Sequence, residues 1–122
     1  MKFIIFAILV AISTSAMAGA TNYVVSCVNQ VRQIAPPGDN GSQFGACAGV
    51  KSDSDVKAVA SCVNQVNQIA PIGDNGSQFI ACAGVKSDGD VDGVVSCVTQ
   101  VKQVAPSGDD GSQFSACKGV NN

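Results

Sequence analysis

Six cysteines hold the most distinctive chemistry in this sequence. Cys27, Cys62 and Cys97 recur every 35 residues, and Cys47, Cys82 and Cys117 follow them at a constant separation of 20. An even number of regularly spaced thiols behind an apolar leader points to oxidation into three disulfides. Zinc is the other common use of paired cysteines. It draws on short C-x-x-C knuckles or on histidine, and the sequence has neither. Without histidine no Ser or Cys nucleophile has its usual base. Carboxyl groups occur together at Asp109 and Asp110 and at Asp88, Asp90 and Asp92. They fall in polar turns and at helix starts, where nothing raises a carboxyl pKa for acid–base work. The turn Gly38-Asp39-Asn40-Gly41 offers oxygens to calcium, yet it lacks the spacing of a twelve-residue loop closed by Glu. The residues therefore point away from an enzyme, and no metal or cofactor is expected.

The pairing follows from the repeat. Residues 27–51 and 62–86 match at all but three positions, 32/67, 37/72 and 45/80, while 97–121 has diverged further. Within one copy, Cys62 stands 11 residues before Gly73 and Cys82 stands 9 after it. An antiparallel hairpin turning at Gly73 brings the two nearly level, as a bridge requires. The expected disulfides are Cys27–Cys47, Cys62–Cys82 and Cys97–Cys117. The rival pairing, Cys47–Cys62 and Cys82–Cys97 with Cys27–Cys117, needs less equal arms and a meeting of the chain ends.

The hairpin arms can be read from periodicity. Val56, Val59, Val63, Val66 and Ala70 follow the 3-4-3-4 spacing of an amphipathic helix. Ser52-Asp53-Ser54-Asp55 supplies cap oxygens and negative charge at its start, as Ser87-Asp88-Gly89-Asp90 does in the next copy. In the first copy Thr21 or Asn22 must serve, predicting a shorter helix. Pro36, Pro71 and Pro106 end the long helices. Ser42, Ser77 and Ser112 are expected to cap second, short helices, with Phe44, Cys47 and Ala48 on one face of the first. Gly49 should then end that helix in the left-handed conformation, folding Val50 back on Phe44.

The expectation is an all-α domain of three tandem helix–turn–short-helix repeats, about 19–51, 52–86 and 87–122, stapled by disulfides. One hairpin cannot bury its apolar side alone, so the three must pack together. A compact bundle is favoured over a short α-solenoid, which would need polar capping repeats that neither end supplies.

Residues 1–18 read as a secretory signal peptide. Met1-Lys2 is followed by an unbroken apolar run from Phe3 to Ile12, and Ala16-Met17-Ala18 suits signal peptidase, with Ala18-Gly19-Ala20 the next option. Secretion to the extracellular space is the expectation. Beyond the leader no apolar run spans a bilayer. Six basic residues against nine Asp leave the mature chain at a formal charge of −3, without the Lys/Arg clusters that nucleic acid demands. Asn40-Gly41-Ser42 and Asn75-Gly76-Ser77 are N-glycosylation sequons.

One surface stands out. Ser61, Asn64, Gln65 and Gln68 sit at i, i+3, i+4 and i+7, away from the Val stripe. Ser26, Asn29, Gln30 and Gln33 repeat the pattern, as do Ser96, Thr99, Gln100 and Gln103. Wet helix faces usually carry Lys and Glu, whereas these positions are polar and uncharged. The reading is a secreted non-enzymatic interaction or structural protein using Gln30, Gln33, Gln65, Gln68, Gln100 and Gln103. A neutral glycan, a protein or a second copy of the chain would suit that face. The alternatives are a carrier of a small apolar ligand and a non-cationic defence or toxin effector.

Overall fold

The long helices of the second and third repeats each begin with a reciprocal cap. The computed structural model describes residues 21–35, 41–70, 76–105 and 112–120. The leader, the prolines at 36, 71 and 106, and both sequon asparagines lie outside these residues. In the middle repeat, helix α2 runs Asp53–Ile69 and α3 in the third runs Asp88–Val104. The first, α1, covers 21–34 of the described chain. Ser52 Oγ accepts from the Asp55 amide at 3.2 Å, and the Asp55 carboxylate accepts from the Lys51 amide at 2.9 Å. Ser87, Asp90 and Lys86 repeat the arrangement. Two orphan donors are thus satisfied at each start. The Lys51 amide holds the Asp55 carboxyl below its ordinary range against some desolvation, helped by Lys86 Nζ at 3.7 Å. Thr21 and Asn22 are themselves helical, so neither is the expected cap of α1.

The helices stop where the sequence requires. Ala70 and Ala105 leave helical geometry at φ −128° and −135°, the extended region imposed on a residue before proline. The chain resumes as short helices η1 (Ser42–Cys47), η2 (Ser77–Cys82) and η3 (Ser112–Cys117). These are 3₁₀ rather than α, which alters two sequence expectations. Their period is three, so η1 buries Gln43, Ala46 and Cys47 while Ala48 is exposed. The cap position at their starts belongs to left-handed Gly41 and Gly76, at φ 70° and 72°, one residue before Ser42 and Ser77. Gly49 and Gly84 close η1 and η2 at positive φ, as expected for the first copy.

The disulfides join long helix to short helix within each repeat: Cys27–Cys47, Cys62–Cys82 and Cys97–Cys117, with Cα separations of 5.7–5.8 Å. Six helices and no strand occur among the described residues. They pack compactly in chain order. η2 lies between η1 and η3, α2 lies against α3, and η1 does not touch η3. With only three units, a serial stack is itself a compact body with one continuous core. That core contains Val31, Val59, Val63, Val66, Val94 and Val98, with Phe79 and Phe114.

Gly76 lies at a close approach between two repeats. A Cβ there would stand 3.1 Å from Gln43 Cβ and 3.3 Å from Gln43 Oε1, at a backbone φ of 72°. Gly84 has a similar φ of 87° and nothing within 4 Å. Gly84→Ala should therefore cost only the left-handed penalty, about 1–2 kcal/mol. Gly76→Ala should cost about 1–3 kcal/mol more through overpacking. Urea denaturation of the two variants checks this. Equal losses would show that Gly76 is a backbone requirement alone.

Candidate interaction surfaces

The serine–glutamine pairs lie on a flank of each long helix. Gln30, Gln65 and Gln100 donate from Nε2 to the Oγ of Ser26, Ser61 and Ser96, at 3.3, 3.0 and 3.1 Å. This i,i+4 bond orients the amide and leaves its carbonyl oxygen for a partner. In the first two repeats Ser and Gln are half-buried, and in the third both are exposed. The structure thus divides the expected polar face. Asn29, Gln33, Asn64, Gln68 and Gln103 are exposed, whereas Gln30 and Gln65 are partly covered. Helix geometry accounts for the split. Gln65 is three residues from Cys62, which points to the short-helix layer, while Gln68 lies farther round toward solvent. Half-buried Thr99 donates back to the Val95 carbonyl of its own helix at 2.8 Å.

A second set of glutamines escapes a reading based on helix faces. Gln43, Gln78 and Gln113, within the repeated Ser-Gln-Phe, donate from Nε2 to the carbonyls of Ala35, Ala70 and Ala105 at 3.4, 3.0 and 3.5 Å. Each ties a short helix to the frayed end of its own long helix, satisfying a carbonyl the helix leaves unpaired. Gln43 and Gln78 are fully buried, and their Oε1 atoms meet no hydrogen-bond donor among the described residues. The signal available in the sequence was the recurrence of Gln beside Phe in all three copies.

The third repeat carries an open groove of about 440 Å³ lined by Gly93, Ser96, Cys97, Gln100, Val101, Val104 and Val120. It lies along one flank of α3 at the end of the stack. The large apolar side chains most exposed among the described residues, Val24, Val25, Val104 and Val120, lie on the first and third repeats. Lys102 is on the opposite flank of α3, reaching back to donate from Nζ to the Ile69 carbonyl at the end of α2. That contact and the groove mark the two sides of one helix, one facing the preceding repeat and one facing outward. Comparison with protein-family models, with curated proteins and with solved structures finds no match to this chain.

Proposed function

We propose that this is a secreted, non-catalytic interaction or structural protein whose helical layer binds a neutral, hydrogen-bonding partner. One observation carries the reading. Gln33, Gln68 and Gln103 occupy the same position on three successive helices, are exposed, and stand on units individually locked by disulfides. Uncharged amides lose less on desolvation than carboxylates or ammonium groups, and each both donates and accepts. Three at fixed spacing favour a repetitive target through avidity. A neutral glycan polymer or a protein surface of similar character fits that description.

The compartment follows from the same chemistry. Three disulfides suit an oxidising environment, and no helix among the described residues is long and apolar enough to cross a membrane. The leader supplies the route outward, and Asn40 and Asn75 are the positions a eukaryotic secretory pathway would glycosylate.

The test is the triple variant Gln33→Glu, Gln68→Glu and Gln103→Glu. Helix propensity barely changes, so folding should survive. Wild-type protein is to be screened on an array of neutral oligosaccharides and against the proteins of its native fluid. The triple variant should lose binding by about tenfold or more as avidity collapses. Retention of every wild-type binding activity would reduce the face to wet surface.

A further inference from the structure

The two ends of the stack are the two halves of its internal interface, and we propose that a second copy of this chain docks head-to-tail through them, extending the stack. The tail half is the groove on the third repeat. Its residues Gly93, Cys97, Val101, Val104 and Val120 correspond, one repeat earlier, to Ala58, Cys62, Val66, Ile69 and Val85. In the middle repeat Ala58, Cys62, Val66 and Val85 are buried, Val85 at 4% exposure, and Ile69 is half-buried, because α3 and η3 cover that side. In the third repeat Val120 is 36% exposed and Val104 is 82% exposed. The groove is thus the seat of a following repeat.

The head half is on the first repeat. Val94, Val95 and Val98 belong to the flank of α3 marked by Lys102, which faces α2, and Val94 and Val98 are fully buried. Their counterparts Val24 and Val25 are 40% and 52% exposed, and Val28 is half-buried. Phe79 and Phe114, each with a repeat before it, are fully buried, whereas Phe44 is only half-buried. The polar contacts have counterparts too. Lys102, which reaches the Ile69 carbonyl, corresponds to exposed Arg32, and Ile69 corresponds to Val104. Arg32 of an incoming copy can therefore meet the Val104 carbonyl. Gln43 packs against Gly76 of the following repeat, so half-buried Gln113 can meet Gly41 of the incoming copy.

Continuity with this interface identifies the occupant as another copy. Repeat arrays normally end in units with a polar outer face, and here both ends remain apolar. Tail-to-head contact is heterologous, so it leaves one free head and one free tail and propagates into a linear series. The proposal deepens the structural reading above. It uses different residues, so the two can fail separately.

The experiment is sedimentation velocity on the secreted protein from micromolar to millimolar concentration, with Val104→Asp and Val25→Asp. Both positions are exposed, and circular dichroism with intact mass checks folding and the three disulfides. Val120→Asp and Val24→Asp serve as second variants of the same two ends. Wild type should form species beyond the dimer as concentration rises. Each variant alone should associate at least about a hundredfold more weakly, since docking would bury an unpaired carboxylate. An equimolar mixture of Val104→Asp and Val25→Asp should form a heterodimer and stop there, because one intact tail meets one intact head. Wild type that stays monomeric at millimolar concentration overturns the proposal. So does self-association of Val25→Asp alone, which indicates tail-to-tail pairing, or a mixture that stays monomeric. A small apolar molecule retained by monomeric wild type in native mass spectrometry would assign the groove to a ligand instead. The triple glutamine variant should assemble like wild type, separating this result from loss of the polar face.

Discussion

Replacing Cys62 and Cys82 together by alanine should lower the thermal midpoint by roughly 15–25 °C, the largest loss of the three disulfides. All three bridges close the same interval of 20 residues. Their effect on the unfolded chain is therefore equal, about 3 kcal/mol each. At this chain length 1 kcal/mol moves the midpoint by about 4–8 °C. Any difference between bridges must come from the folded state. Cys62 and Cys82 are fully buried between two neighbouring repeats, while Cys97 is half-buried at the open groove. A 17-residue helix is marginal by itself, so loosening the middle repeat removes a packing partner from both others. The paired serine variant should fall further still, because it leaves hydroxyls at two fully buried positions. Calorimetry on the three double-alanine variants decides the matter. Equal losses for all three would mean that the bridges act only on the unfolded chain and that the repeats are not coupled through the middle one.

What the sequence made legible, it did through period and count. The Val stripe of α2 recurs at helical spacing, and every one of its four valines is buried. The nearly equal arms around the turn select the within-repeat disulfides, and the residues before proline leave the helix as that ring requires. Less legible was anything set by the meeting of two repeats. A run of six residues carries too little pattern to separate period 3.0 from 3.6, so the short helices read as α and Ala48 took the place of Ala46. Gln43 and Gln78 are fully buried because a carbonyl from the end of the preceding helix waits for their amides, a partner eight residues away in sequence. Polar residue types give no hint of such burial by themselves. The Ser–Gln pairs posed the converse problem. One helix wheel places them away from the core, yet the flank they occupy in the first two repeats is half-covered in the stack. Identical residues at matching positions also differ in exposure according to their place in the row, as Phe44 and Phe79 illustrate.

Phe79→Ala should destabilise the protein by about 3–5 kcal/mol, and Phe44→Ala by about half as much in dilute solution. Phe79 is among the largest fully buried side chains, and truncating it removes transfer energy and leaves a cavity. Its ring lies beside Gly76, 3.5 Å from where a Cβ would be, and Gly76 in turn abuts Gln43 of the first repeat. The cavity would therefore open at the junction of two repeats. Phe44 sits against Gly41 in the same way, at 3.4 Å, but has no preceding repeat to cover it. Less of its surface leaves water on folding, so less is lost on truncation. The contrast also bears on head-to-tail docking, which would cover Phe44 as Phe79 is covered now. Stabilisation by a partner grows with the concentration of that partner. The penalty of Phe44→Ala should accordingly rise toward that of Phe79→Ala as protein concentration increases, while the Phe79→Ala penalty stays fixed. Thermal unfolding of both variants over a range of concentrations measures the two together. A constant gap between them would place Phe44 at a permanently open end, and a Phe79→Ala loss below about 1 kcal/mol would show that the repeats do not share one core.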